Sequence, residues 1–321
     1  MDSALRRIRI AVSTGRLRGL PAEPGTPEIT LLGAGESYVA WRIGSGDQAQ
    51  VLRVPRRSPH EMPRSMMAEF ETLRRVPPEL GTSAIALETG TDNPLGIPYM
   101  VTTHVSGRAL RATDWNPRLA TALAHQIARL HEAFATSPAP SAVFVPSAGE
   151  QGEELLTWWG RHHPETLTDP RVSALLPAWC RELTRLAPAF EAVPTHPLIH
   201  GDVVVTNVIL GPDGVPRLID FEWSGPGDRA KDLALIGGRV IGGPWYLPMT
   251  PDDVAAFVTE YSRYSRHAGA IDPQQLLARR DAYELLDRMG NLLYCLSRPG
   301  EARYGMWADE IARNLTDRLA D

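Results

Sequence analysis

The sequence predicts a two-lobed α+β fold, an antiparallel sheet with one main helix in the N-lobe and a mostly helical C-lobe. Three observations carry this. Short β-rich runs separated by glycine turns fill residues 29–103, and apolar residues at helical spacing dominate the remainder of the chain. The length, 321 residues with 43% hydrophobic and 22% charged side chains, suits two cores better than one. The boundary falls near Val105–Ser106, giving an N-lobe of residues 1–105 and a C-lobe of 106–321.

Taken in order, Met1 to Arg18 is Arg-rich but lacks the apolar stretch and cleavage site of a secretory leader, so it reads as a first helix or arm. After a Pro/Gly-rich passage, Gly19 to Pro27, strands are expected at Ile29–Leu32, Tyr38–Ile43 and Gln50–Val54. Gly33-Ala34-Gly35 and Gly44-Ser45-Gly46-Asp47 separate them, the pattern of an antiparallel meander. Met66, Phe70 and Leu73 predict a helix over Met62–Val76, stopped by Pro77-Pro78. Ile85–Glu88 and Tyr99–Thr103 complete the sheet.

In the C-lobe, Leu119, Leu123, Ile127, Leu130 and Phe134 line one face of a helix over Asn116–Phe134. Ser137–Ser147 is Pro/Ser-rich and reads as a loop. Gly152 to Val193 carries helical segments interrupted at Pro164, Pro170 and Pro177, placed on the substrate side. A short β-rich region comes after Pro197, then helices around Ala230–Val240, Pro251–His267, Pro273–Leu296 and Tyr304–Leu319.

Composition excludes several classes. No apolar run approaches the roughly 18 residues of a membrane span, and the two cysteines, Cys180 and Cys295, sit apart as buried thiols of a reducing cytosol. Lys231 is the only lysine, so a lysine-dependent P-loop is impossible. Net charge is −5, with 12 basic against 11 acidic residues up to position 105 and 21 against 27 beyond it, opposite to a nucleic-acid binder. The acidic second part suits a cationic substrate.

The chemistry is concentrated in His200-Gly201-Asp202-Val203-Val204-Val205-Thr206-Asn207 and, after the turn Gly211-Pro212-Asp213-Gly214, in Ile219-Asp220-Phe221-Glu222. The turn folds two short apolar strands into a hairpin and returns Asp220 towards Asn207. Phosphoryl transfer needs a carboxylate near the accepting hydroxyl and further oxygen ligands for a divalent metal on the triphosphate. The five-residue step from Asp202 to Asn207 is that of a kinase catalytic loop.

These motifs, with Gly227-Asp228-Arg229-Ala230-Lys231-Asp232-Leu233-Ala234 downstream, make the chain resemble the aminoglycoside phosphotransferase and choline kinase superfamily, small-molecule kinases of protein-kinase-like fold. The resemblance implies that Asp202 is the catalytic base, that Asn207 and Asp220 hold Mg²⁺, and that ATP or GTP is the co-substrate. It places Asp228 near the substrate mouth, whereas Asp232 is expected to cap or anchor the helix Asp232–Val240, a structural role. His200 braces the loop. Gly33, Gly35 and Ser37 fall where backbone N–H groups meet phosphate. Arg53 stands in the place of the phosphate-binding lysine of protein kinases, with Glu69 as its ion-pair partner and Glu71 as the alternative. Tyr99–Val105, through Thr103 and Val105, should face the purine base.

Eleven residues between Asp220 and Asp232, with no Ala-Pro-Glu anchor, leave no platform for a peptide acceptor. No G-x-S-x-G elbow or H-E-x-x-H helix supports a hydrolase. The expected activity is therefore a cytoplasmic small-molecule kinase acting on a hydroxylated, cationic acceptor, with no nucleic acid and no membrane as partner. An antibiotic acceptor leads a metabolic one such as choline, a sugar or an amino-alcohol, and a non-catalytic nucleotide-binding protein is the remaining alternative. Trp158, Trp159, Trp223 and Trp245 are expected in the core rather than in an aromatic wall. His131 and the pair His162-His163 are read as packing or solvent residues.

Overall fold

The computed structural model describes residues 2–20, 28–134, 145–191, 193, 196–265 and 272–320. The chain forms two compact units, one of Met1–Arg108 with Ile209–Ser224 and one of Ala109–Val208 with Gly225–Asp321. Of the passages singled out in the sequence, residues 21–27, 137–144 and His267 lie outside the described residues.

Helix α1 (Asp2–Ser13) opens the first unit and buries Ile8, Ala11 and Val12. Strands β1 (Ile29–Ala34), β2 (Tyr38–Ile43) and β3 (Gln50–Pro55), helix α2 (Met66–Leu73) and strands β4 (Ala84–Glu88) and β5 (Tyr99–Thr103) come next. The strands form one antiparallel sheet in the order β1-β2-β3-β5-β4. Register sets Leu31, Trp41, Leu52 and Val101 side by side on one face, where Ile8, Val12 and Leu17 complete the core. Arg53, between Ala40 and Met100, is on the other face. Helix α2 is shorter than expected because the Ser65 hydroxyl accepts the Ala68 N–H and fixes its start. At its end the N–H groups of Arg75 and Val76 both turn back to the Thr72 carbonyl.

Strand β6 (Arg108–Ala109) leads to α3 (Pro117–Ala133), capped by Asn116, and to α4 (Ala148–His162), whose Ser147 and Glu150 form a capping box. Pro164 and Pro170 begin helices α5 (Pro164–Leu167) and α6 (Pro170–Leu186), as the first-turn preference of proline allows. Pro177 does not interrupt: α6 runs through it, carried by the buried face of Val172, Leu175, Trp179, Leu183 and Leu186. Cys180, on the other face, is exposed rather than buried, while Cys295 is buried.

Strand β7 (His196–Ile199) precedes the hairpin of β8 (Val208–Leu210) and β9 (Pro216–Leu218) and pairs with β10 (Gly225–Gly227). Helix α7 (Arg229–Leu235) ends five residues before the expected Val240, because Gly237-Gly238 form β11 (Gly237–Gly238) against β12 (Leu247–Pro248). A side chain at Gly237 would meet the Leu247 carbonyl oxygen at 2.3 Å, so that approach requires glycine. Helices α8 (Pro251–Tyr264), α9 (Pro273–Leu296) and α10 (Ala302–Ala320) complete the second unit. None of the described helices is long and apolar enough to cross a membrane.

One contact fixes the strand that leads to Asp220. Leu218 donates its N–H to the Leu80 carbonyl at 2.8 Å and accepts the Thr82 N–H at 3.1 Å, bridging to Gly81 between them. A Cβ at Gly81 would lie 2.1 Å from the Leu218 carbonyl oxygen. Gly81→Ala must push the strand away, and urea denaturation is expected to show a loss of about 1–3 kcal/mol. An unchanged midpoint would mean that this bridge does not hold β9.

Candidate active site

The loop His200–Asn207 owes its shape to Asp232, which is fully buried. Gly201 takes φ 82°, which only glycine adopts without strain. The N–H groups of His200 and Gly201 then point to the two Asp232 oxygens, at 2.7 and 2.8 Å. His131 Nε2 is 3.0 Å from the same carboxylate, and its Nδ1 is 2.8 Å from the Tyr261 hydroxyl. An ionised carboxylate only accepts, so Nε2 carries the proton. Burial alone would raise the Asp232 pKa, but the His131 hydrogen bond and the charges of His131 and His200 hold it below the ordinary carboxylate value.

The same loop positions Asp202. Val203, Val204 and Val205 are buried and pin its middle, and the Val205 N–H reaches the Trp245 carbonyl at 2.8 Å. The Asn207 amide donates to the Asp202 main-chain oxygen at 3.0 Å and to its carboxylate at 2.8 Å. The Asp202 N–H meets His200 Nδ1 at 3.3 Å, so His200 braces the loop as expected.

Two downstream aspartates have other places than the sequence suggested. Asp228, expected near the substrate mouth, is 2% exposed. It caps α7 by accepting the Ala230 N–H at 3.0 Å and pairs with Arg279 at 2.8 Å. Asp232 is not the cap but the anchor of the loop. His131, read as packing, is its buried partner; only the fold brings a histidine 101 positions away to it.

In the first unit Asp220 adopts φ 65°, and it is the only such non-glycine among the described residues. Arg53 donates to Asp220 Oδ1 at 2.6 Å and, through its other terminal nitrogen, to Glu69. Its guanidinium lies 4.1 Å above the Tyr38 ring. Burial would lower the Arg53 pKa, but the Glu69 and Asp220 charges outweigh it and raise it. Glu71 pairs instead with exposed Arg74 at 3.4 Å, so Glu69 is the partner. Burial, then the Asp220 charge, pushes Glu222 up to about 7. Among the described residues the buried Ser37 hydroxyl and one Glu222 oxygen close no hydrogen bond of normal geometry.

Gly33 and Ala34 belong to β1, so the turn proper is Gly35 to Ser37, closed by the Gly35 N–H on the Tyr38 carbonyl at 2.9 Å. A Cβ at Gly33 would meet nothing within 4 Å, which leaves its backbone open to close approach. Thr103 donates its N–H to the Ser83 carbonyl at 2.9 Å, and its own carbonyl accepts the Thr82 hydroxyl at 2.8 Å. Its backbone therefore serves the sheet, and Val105 lies two residues past the strand end. Trp159 is buried as expected, whereas Trp158 and Trp223 are about half exposed, at 49% and 51%.

No group of three or more His, Cys, Asp or Glu among the described residues could hold a metal by itself. The donors present are nonetheless hard oxygens. Asn207 spends its amide nitrogen on Asp202 and keeps its carbonyl oxygen, and Asp220 gives Arg53 one oxygen and keeps the other. Each is an oxygen donor of the type Mg²⁺ takes, an ion that retains waters and needs few protein ligands.

A sequence profile of the phosphotransferase enzyme family (APH) matches residues 28–276, which include Arg53, Asp202, Asn207, Asp220 and Asp232. The chain belongs to this family. Viomycin phosphotransferase of Streptomyces vinaceus is 29% identical over 201 residues, 56% of this chain and 67% of that protein. Two solved structures share the fold at low identity. The GDP complex of wild-type aminoglycoside 2′-phosphotransferase-IIIa has a TM-score of 0.64 at 16% identity, covering 100% of this chain and 99% of its own. Choline kinase LicA of Streptococcus pneumoniae has a TM-score of 0.64 at 15% identity, covering 99% of each chain. The chain is thus a phosphotransferase with an alcohol group as acceptor, on the fold its sequence predicted.

The phosphotransferase should depend on Asp232 without Asp232 touching any reactant. Asp232→Ala leaves two buried N–H groups and His131 unpaired, and is expected to cost about 3–5 kcal/mol in urea melts at neutral pH. Because the folded-state pKa is depressed, this stabilisation is fully present above the ordinary carboxylate range and lost as pH falls through the folded value. The wild-type advantage should therefore hold down to about pH 4 and fade only below it. An advantage that fades between neutrality and pH 5 would argue against an ionised Asp232.

Proposed function

We propose that the enzyme transfers the γ-phosphoryl group of ATP or GTP to a hydroxyl of an antibiotic, aminoglycoside-like or related, in a Mg²⁺-dependent reaction. The observation that carries the reading is the fixed Asp202 carboxylate, held by Asn207 on a loop whose backbone is anchored by Asp232. Asp202 accepts the proton of the acceptor hydroxyl as its oxygen bonds to phosphorus. Asn207 and Asp220 are the metal ligands; Mg²⁺, when bound, neutralises charge between the β- and γ-phosphates. Arg53, fixed by Glu69, orients Asp220 and adds positive charge beside it. The backbone of Gly33, Gly35 and Ser37 faces phosphate, and that of Thr103 and Val105 faces the base. Residues 1–105 are assigned to nucleotide binding and 106–321 to the catalytic loop and acceptor site.

The antibiotic reading is supported by the relative named for viomycin. A metabolic acceptor is the second reading, favoured by the likeness to a choline kinase and by Ile219-Asp220-Phe221-Glu222. Both readings place the enzyme in the cytoplasm. The deciding experiment incubates purified protein with ATP or GTP, Mg²⁺ and a panel of peptide antibiotics, aminoglycosides, macrolides, choline and sugars, read by mass spectrometry. A product 80 Da heavier among the antibiotics is expected, 80 Da being about the mass of one added HPO₃ group; phosphorylation of choline or a sugar alone would replace the first reading with the second.

Asp202→Ala should lower kcat about 10²–10⁴-fold, the range of a general base, while nucleotide affinity measured by calorimetry stays unchanged. Asp220→Ala, or removal of metal by a chelator, should abolish the Mg²⁺-dependent part of nucleotide binding as well. Near wild-type turnover by Asp202→Ala would remove its assigned role.

A further inference from the structure

The sheet face opposite Arg53 carries a cavity of about 310 Å³ that the phosphotransfer chemistry leaves unused. Ile8, Val39, Trp41, Val54 and Leu95 make its apolar wall. Leu31 and Ile97 also line it, with 40% and 39% of their surfaces exposed, a cost that a binding surface explains better than a solvated one. The remaining polar lining is two guanidiniums, Arg7 and Arg56, and no carboxylate is among the lining residues. Among the described residues neither arginine pairs with an acid; Arg56 donates only to main-chain carbonyls.

We propose that this cavity is a second ligand site, taking a small amphipathic carboxylate such as a medium-chain fatty acid. Its apolar body lies along Val39, Trp41 and Leu95, and its carboxylate meets Arg7 and Arg56. The volume is at the small end of ligand cavities, about 300–1,000 Å³, which suits one chain rather than a phospholipid. Guanidinium is the donor best matched to a carboxylate, whose two oxygens it engages together.

The site is tied to the turn Gly35–Ser37. Arg56 holds that turn from below, its N–H on the Ser37 carbonyl at 2.8 Å and its guanidinium on the Gly35 carbonyl, while Ala34 lines the cavity itself. A carboxylate on Arg56 competes for the donor that fixes Gly35, so occupancy weakens the turn and, by linkage, nucleotide binding. This coupling rests on the phosphate-facing role proposed for the turn; the ligand site does not.

The test titrates decanoate, below its micellar range, into the full chain by calorimetry, with decan-1-ol and acetate as comparisons. Saturable one-to-one binding of decanoate is expected, weakened about tenfold or more by Arg7→Glu, the factor of one charge-assisted contact, and blocked by Ile97→Trp, which fills the mouth. Both positions are on the surface and outside the catalytic groups, so the fold survives, as circular dichroism checks. Absence of saturation, decanol binding as tightly as decanoate, or indifference to Arg7→Glu would overturn the site. The dissociation constant of Mg–ADP is then measured with and without saturating decanoate. A rise in wild type but not in Ile97→Trp is expected; an unchanged value overturns the coupling alone, and decanoate binding by a protein inactive on every acceptor would sink the kinase reading but not the site.

Discussion

A single buried carboxylate organises the loop that carries Asp202. Asp232 receives two main-chain N–H groups and one imidazole, all inside the second unit, and these are its compensation for leaving water. The arrangement works in both directions. The loop backbone at His200 and Gly201 turns so sharply that its donors have no secondary-structure partner, and Asp232 supplies one; the acid, in turn, stays ionised because those donors surround it. Asp202 inherits its position from this contact, since it is the next residue along the chain.

The first unit solves a comparable problem with arginine. Arg53 reaches Glu69 with one terminal nitrogen and Asp220 with the other, and lies over the Tyr38 ring. A lysine at this place would be a single point charge on a flexible stem and could not hold both acids in one plane. In a chain with one lysine, arginine at this place does more than a point charge would: it becomes a brace for Asp220. The Arg53 contact also helps to hold Asp220 at φ 65°, a backbone region that costs a residue other than glycine energy.

Much of this was legible in the sequence, and the pattern of what was not is physical. The five strands, the long helices and the Asp202, Asn207 and Asp220 motifs are local signals of period, turn chemistry and spacing. The Arg53–Glu69 pair was legible too, because a strand and the next helix are neighbours in the chain. Asp228 was placed at the substrate mouth by resemblance, yet it caps α7, and Asp232, expected to cap or anchor that helix, anchors the loop instead; which acid caps depends on where α7 begins. His131 has no local signal at all, its partner being on another element. Pro177 misled for the converse reason, since the burial of one face of α6 overrides a local helix breaker.

The charge of the second part of the chain also reads differently once burial is known. Among the described residues beyond position 105, four arginines (229, 279, 280 and 288) and four acids (222, 228, 232 and 284) are buried. They match in number, so the excess of acidic over basic residues among the described residues lies at less buried positions. An excess of this kind, borne near solvent, produces a field that reaches about a Debye length, roughly 8–10 Å at ordinary salt. The acids buried with arginine partners fix the architecture, and the unburied excess favours the approach of cations over anions; the two uses of carboxylate are separated by burial, which sequence counting alone does not distinguish.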